Sequence, residues 1–93
     1  MIIFGNKDEL QFESINDFKW CLKCGGEIES DWNGKSYGIG HDEKGIVLYE
    51  ANNSESEKFF ETAYDVLDEF FNGQILREII KDIDVTLRKN FSI

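Results

Sequence analysis

Cys21 and Cys24 stand three positions apart in Trp20-Cys21-Leu22-Lys23-Cys24. Two thiols at that spacing can share a metal ion or cycle between dithiol and disulfide. A structural zinc site needs four ligands. The chain has no second Cys pair, and His41 is the one further ligand of the usual kind. His41 also precedes Asp42 and Glu43, which sets a base beside two carboxylates, but no motif supplies a nucleophile for it. Gly38-Ile39-Gly40 lies in strand-like sequence and does not open a helix, so it is no phosphate cradle. Carboxylates are the more plentiful material. Glu27, Glu29 and Asp31 alternate along one stretch, and Glu57, Glu61, Asp65, Asp68 and Glu69 recur at helical spacing along another.

Over five residues Trp-Cys-x-x-Cys resembles the active-site sequence of thioredoxins. That resemblance implies a strand, then a helix whose N-terminal dipole lowers the first thiol's pKa, and a facing cis-proline. Here the pair falls at the end of a helical pattern, and the chain contains no proline. Cys-x-x-Cys-Gly-Gly is also similar to one knuckle of a zinc ribbon, without its second half. The apolar stripe containing Cys21 favours a buried thiol acting as a small hydrophobe, with Cys24 partly exposed. A metal- or thiol-dependent protein using Cys21 and Cys24 is the alternative reading, and no cofactor is expected.

The elements that must position these groups are legible to differing degrees. Gly25 to Glu50 reads as a three-stranded antiparallel meander. Asn33-Gly34 is the signature of a two-residue type I′ turn, which demands positive φ at both positions. It predicts that Trp32 faces Lys35, Ser30 faces Tyr37 and Ile28 faces Ile39. Ile28, Trp32, Tyr37 and Ile39 then share a core face, while Glu27, Glu29 and Asp31 oppose Ser36, Gly38 and Gly40. A turn at Asp42-Glu43-Lys44-Gly45 brings Leu48 opposite Ile39 and turns Val47 and Tyr49 toward the acidic side. Before the meander, residues 1–5 read as an edge strand, Leu10-Gln11-Phe12 as a short extended piece, and Ser14-x-x-Asp17 as a capping box opening a helix over Ile15, Phe18, Cys21 and Leu22. After it, Ser54-Glu55-Ser56-Glu57 reads as a second capping box, opening a helix to about Phe71. Asn72-Gly73 reads as its stop, followed by a third helix over Gln74–Asp82 and a last strand from Asp84 to Leu87. The fold class is therefore α+β: a three- to four-stranded antiparallel meander with helices packed on one face, in the order (β)αβββαα(β), within a single domain spanning 1–93.

Ninety-three residues with 14% aromatics suit one packed core. No apolar run approaches the ~18 residues that span a bilayer, and Met1-Ile2-Ile3-Phe4 lacks the basic start of a signal peptide; both point to a cytoplasmic protein. The formal net charge of −9 disfavours direct binding to nucleic acid or to anionic membranes. It suits a basic protein partner.

Gly26-Glu27-Ile28-Glu29 followed by Trp32-Asn33-Gly34-Lys35-Ser36-Tyr37-Gly38-Ile39 resembles a pattern in small proteins of Firmicutes and their mobile elements. In that pattern a helix leads into Gly-x-Glu-Ile-Glu, an aromatic-Asn-Gly-Lys hairpin and closing helices. The resemblance implies the fold of residues 14–83 and no particular activity. This chain departs from it where Ser30 replaces an aromatic on the core face. The expected function is binding without catalysis. An acidic module could dock on a basic, nucleic-acid-handling protein by imitating phosphates, as inhibitors from phages and immunity proteins do. Its contact residues are Glu27, Glu29, Asp31, Val47, Tyr49, Glu57, Glu61, Asp65 and Asp68. A homo-oligomer whose acidity only aids solubility is a third reading.

Overall fold

Strand β1 (Glu27–Trp32) and strand β2 (Lys35–Asp42) meet at the Asn-Gly turn, where Asn33 and Gly34 have φ of 53° and 85°. The ladder runs Trp32↔Lys35, Ser30↔Tyr37 and Ile28↔Ile39, the register that this turn dictates. Strand β3 (Gly45–Glu50) follows, with Leu48 opposite Ile39. The β2–β3 turn is tighter than a four-residue loop, because Asp42 and Gly45 also pair and Asp42 Oδ1 accepts from the Lys44 amide at 2.7 Å. These three strands form the centre of a five-stranded antiparallel sheet. The structure, a computed structural model, describes residues 10–71 and 73–89. The edge strand expected over residues 1–5 and the turn after it lie outside those residues.

The helix expected from Ser54 to about Phe71 is not there. Asn53–Phe60 is strand β4, paired with β3 through Val47↔Phe59 and Ile46↔Phe60. Ala51-Asn52 is a hairpin turn, with Asn52 at φ 63° and Glu50 paired to Asn53. Ser56, expected within a helix cap, instead accepts the Glu50 amide at 2.8 Å and donates to the Asn53 carbonyl at 2.6 Å. Two forces favour the strand. It covers the otherwise open backbone edge of β3, and it separates carboxylates that a helix would hold four apart at a few tenths of a kcal/mol per like-charged pair. The true helix α2 (Ala63–Leu67) starts later, capped by Thr62, whose Oγ1 accepts from the Asp65 amide at 3.3 Å. Gly73, at φ 91°, lies between the short paired strands β5 (Phe70–Phe71) and β6 (Gln74–Ile75), not at a helix stop. The third helix is shorter than expected, α3 (Leu76–Ile79), and the chain returns as β7 (Asp84–Lys89).

β7 pairs with β1, giving the strand order β4-β3-β2-β1-β7. A bulge between Glu29 and Ser30 skips Thr86, so Val85 faces the same side as Ser30 while Leu87 turns to the side of Glu29 and Arg88 to that of Ile28. The far edge of β7 is blocked by Gln11, whose side-chain amide donates to the Val85 carbonyl and accepts its N–H, both at 3.3 Å. The earlier helix, α1 (Ile15–Lys23), begins at Ser14, whose Oγ accepts from the Asp17 amide at 3.1 Å. Its Phe18, Cys21 and Leu22 join Val66, Leu67, Leu76 and Ile79 in one core against Ile28, Ile39, Leu48 and Val85 of the sheet. Burial of each large apolar side chain contributes roughly 1.5–3 kcal/mol. Tyr37 stacks on Phe71 at 4.4 Å between ring centroids, beside buried Ser30. Arg88 fastens sheet to helix. Its Nη2 donates to Asp17 Oδ1 at 2.5 Å and its Nη1 to Oδ2 at 3.3 Å, and its guanidinium lies 4.5 Å from the Phe12 ring centre. Arg88 lies beyond the strand expected to end at Leu87, and it is part of the fold.

Candidate functional site

Every residue that the sheet contributes to the core lies on one face, and the opposite face holds the carboxylates of β1, while Glu50 of β3 stands on the core side opposite Tyr37. Alternation along β1 puts Glu27, Glu29 and Asp31 there. Across β2 the facing positions are Gly40, Gly38 and Ser36, and across β3 they are Val47 and Tyr49. The row of minimal side chains on β2 lets β3 reach over it. A Cβ added at Gly38 would overlap the Tyr49 ring, so that ring lies flat across β2 toward Glu29. The strand β4 brings Phe59 beside Val47 and Glu57 close to Tyr49. The result is a shallow apolar patch of Tyr49, Val47 and Phe59, with carboxylates on either side.

Electrostatics record that crowding. Burial first, and then the carboxylates of Glu29, Glu27 and Glu57, push the Tyr49 phenol above its ordinary value. A neutral hydroxyl is therefore held among three negative groups, where it can donate a hydrogen bond. Asp31 is restrained by Ser36, whose Oγ donates to its Oδ1 at 2.6 Å. Two lysines moderate the face. Lys89 stands opposite Glu27 in the β1–β7 ladder, and the Lys44 ammonium lies 4.9 Å from the Phe59 ring centre.

The nine residues expected to make contact do not form one surface. Glu27, Glu29, Asp31, Val47, Tyr49 and Glu57 come together on the open sheet face. Glu61, Asp65 and Asp68 do not. Glu61 follows β4 and borders a groove beside α1, Asp65 is in the first turn of α2, and Asp68 pairs with Arg77 at 2.6 Å. The acidic helix face dissolves because half of that helix is a strand. The same change carries Glu57 onto the sheet face and exposes Phe59, which lies within the stretch expected to be that helix. The adjacent pair Phe59-Phe60 was the available signal: in a strand such neighbours point to opposite faces, and Phe60 packs on the core while Phe59 is 38% exposed.

Cys21 is buried, and Cys24 caps the C-terminus of α1 at intermediate exposure. Burial pushes the Cys21 thiol above its ordinary value, against the opposing pull of the Arg88 guanidinium. His41 stands at the end of β2, opposite Ile46. Among the described residues no group of three or more His, Cys, Asp or Glu side chains could hold a metal ion. No helix among them is long and apolar enough to cross a membrane. No protein-family model, curated protein or solved structure matches the chain.

Proposed function

We propose that this chain is a non-enzymatic protein-interaction module that docks the open face of its sheet on a basic protein partner. The observation that carries this reading is the arrangement around Tyr49. A broad ring lies flat over Gly38 beside Val47 and Phe59, and Glu27, Glu29 and Glu57 stand around it. Interfaces commonly join such an aromatic anchor to a polar rim. The carboxylates select for Lys and Arg on the partner and speed encounter, and the patch supplies the desolvated contact that outlasts it. A nuclease or another nucleic-acid-handling protein has the required basic surface. The module would then act as an inhibitor or immunity-type protein, its carboxylates occupying the place of phosphates.

The test is capture from lysate of the native host with three baits: the wild-type chain, Glu27→Gln/Glu29→Gln/Glu57→Gln, and Tyr49→Ala. The reading expects a basic protein that the wild type retains, that both variants lose, and that elutes as salt rises. Equal retention by all three baits sinks it. Recovery of only further copies of this chain makes the protein a homo-oligomer instead.

A further inference from the structure

We propose that the groove between α1 and the start of α2 binds a small aromatic carboxylate. The groove is a cavity of about 590 Å³ on the helical side of the sheet, away from the carboxylate face. That volume is in the range of pockets that hold small organic ligands. Leu22 and Ile46 are among its apolar lining. Two rings lie exposed along it, Trp20 at 58% and Tyr64 at 57%, and with Phe59 of the other face these are the large hydrophobic side chains that the described fold leaves out. They are flat, polarisable surfaces, and each already holds a cation. The Lys19 ammonium donates to the Tyr64 hydroxyl at 2.5 Å and sits 3.8 Å from the centre of its ring. The Lys23 ammonium sits 5.8 Å from the centre of the Trp20 ring. Neither lysine forms an ion pair with a carboxylate among the described residues.

Charge decides the class of ligand. With His41 neutral, Lys19 and Lys23 against Glu61 leave the groove lining at +1, while the whole chain carries −9. An anion is favoured locally and repelled globally. The global repulsion grows with the ligand's own charge, so a polyanion such as nucleic acid is rejected while a monoanion is not. The ammoniums take the carboxylate as charge-assisted hydrogen bonds, and the rings and apolar lining take the aromatic body. This site is independent of the docking face, and either can fail without the other.

The experiment is a titration of the full chain with phenylacetate and with its neutral isostere phenylacetamide, read in amide NMR spectra. Saturable shifts are expected on Trp20, Lys23 and Tyr64 with phenylacetate, at the millimolar Kd suited to a ligand of that size. Phenylacetamide should bind at least about fivefold more weakly, since it loses the charge-assisted contacts. Lys23→Gln should weaken phenylacetate about threefold to tenfold, and Trp20→Ala should remove saturation; both side chains are exposed, so the spectra should otherwise match the wild type. Absence of saturable shifts in the groove, or equal binding of acid and amide, overturns the proposal. So does a Lys23→Gln variant that keeps its spectrum and its full affinity.

Discussion

Asp17→Ala should destabilise the fold more than Arg88→Met, although both break the same ion pair. The pair joins α1 to β7 through two hydrogen bonds, at 2.5 and 3.3 Å. The Arg88 side chain is 13% exposed and that of Asp17 26%, so neither limiting case applies. An exposed pair contributes about 0–1 kcal/mol. Stranding one member of a fully buried pair costs about 3–5 kcal/mol. With Asp17 gone, Arg88 cannot shed its proton and keeps a poorly hydrated charge over Phe12. The Glu13 amide, which donates to Asp17 Oδ2 at 3.1 Å, also loses its acceptor. About 2–3 kcal/mol is expected. With Arg88→Met, Asp17 keeps the Glu13 amide and more access to water, and methionine retains part of the packing; the cost should be about 1–2 kcal/mol. In the double variant the stranded charge is absent, so a double-mutant cycle should give a coupling of about 1.5 kcal/mol. Urea denaturation reads all four proteins, and at a slope of about 1 kcal/mol per molar the Asp17→Ala midpoint should fall by about 2–3 M. A coupling below about 0.5 kcal/mol, or one that vanishes in moderate salt, would make this an ordinary surface pair and refute the reasoning. The outcome also bears on the groove, because α1 carries Lys19, Trp20 and Lys23.

Gly38→Val should displace the Tyr49 ring and destabilise the fold by about 1–3 kcal/mol, as overpacking does; thermal unfolding measures it, and an unshifted midpoint would show that the ring does not lie on β2. Absorbance titration of the tyrosines should show Tyr64 ionising below the ordinary phenol range, because Lys19 donates to its oxygen and lies nearby, and Tyr49 and Tyr37 above it, through burial and then neighbouring carboxylates. Tyr64→Phe should remove the first step, and Glu27→Gln/Glu29→Gln should bring the Tyr49 step down. Because the fold raises those two pKa values, their stabilisation is complete below about pH 10 and is lost as pH climbs through the folded values. In the native protein a thiol reagent should modify Cys24 quickly and Cys21 only at the rate of unfolding; equally fast labelling of both would revive the dithiol reading.

Local chemistry with a single geometric solution was legible in the sequence. Asn33-Gly34 fixes the whole β1–β2 register, because positive φ at both positions leaves one way to close the hairpin. From it follow the core face and the acidic face, and the second turn at Asp42–Gly45 then places Val47 and Tyr49. Ser54 to Phe71 was not legible, because Ser-Glu-Ser-Glu satisfies a helix cap and an exposed edge strand equally well. The decision belongs to β3, whose open edge captures the segment through long-range pairing that no local window contains. That one tertiary event split the expected acidic helix and moved Glu57 to the site. Asn72-Gly73 was ambiguous in the same way, since the dipeptide serves a helix end and a hairpin alike. The Asp17–Arg88 link joins residues 71 positions apart, and no local pattern announces it.

The most direct test of the central claim is the affinity of the captured partner for the wild-type chain and for Glu27→Gln/Glu29→Gln/Asp31→Asn, measured over a range of salt. If the open sheet face docks on a basic surface, the wild-type Kd should rise steeply with salt. The variant should bind more weakly at low salt, by about tenfold for each 1.4 kcal/mol lost, and with a flatter salt dependence. Equal affinity and equal salt slope in the two proteins, with the fold of the variant intact, would contradict the account.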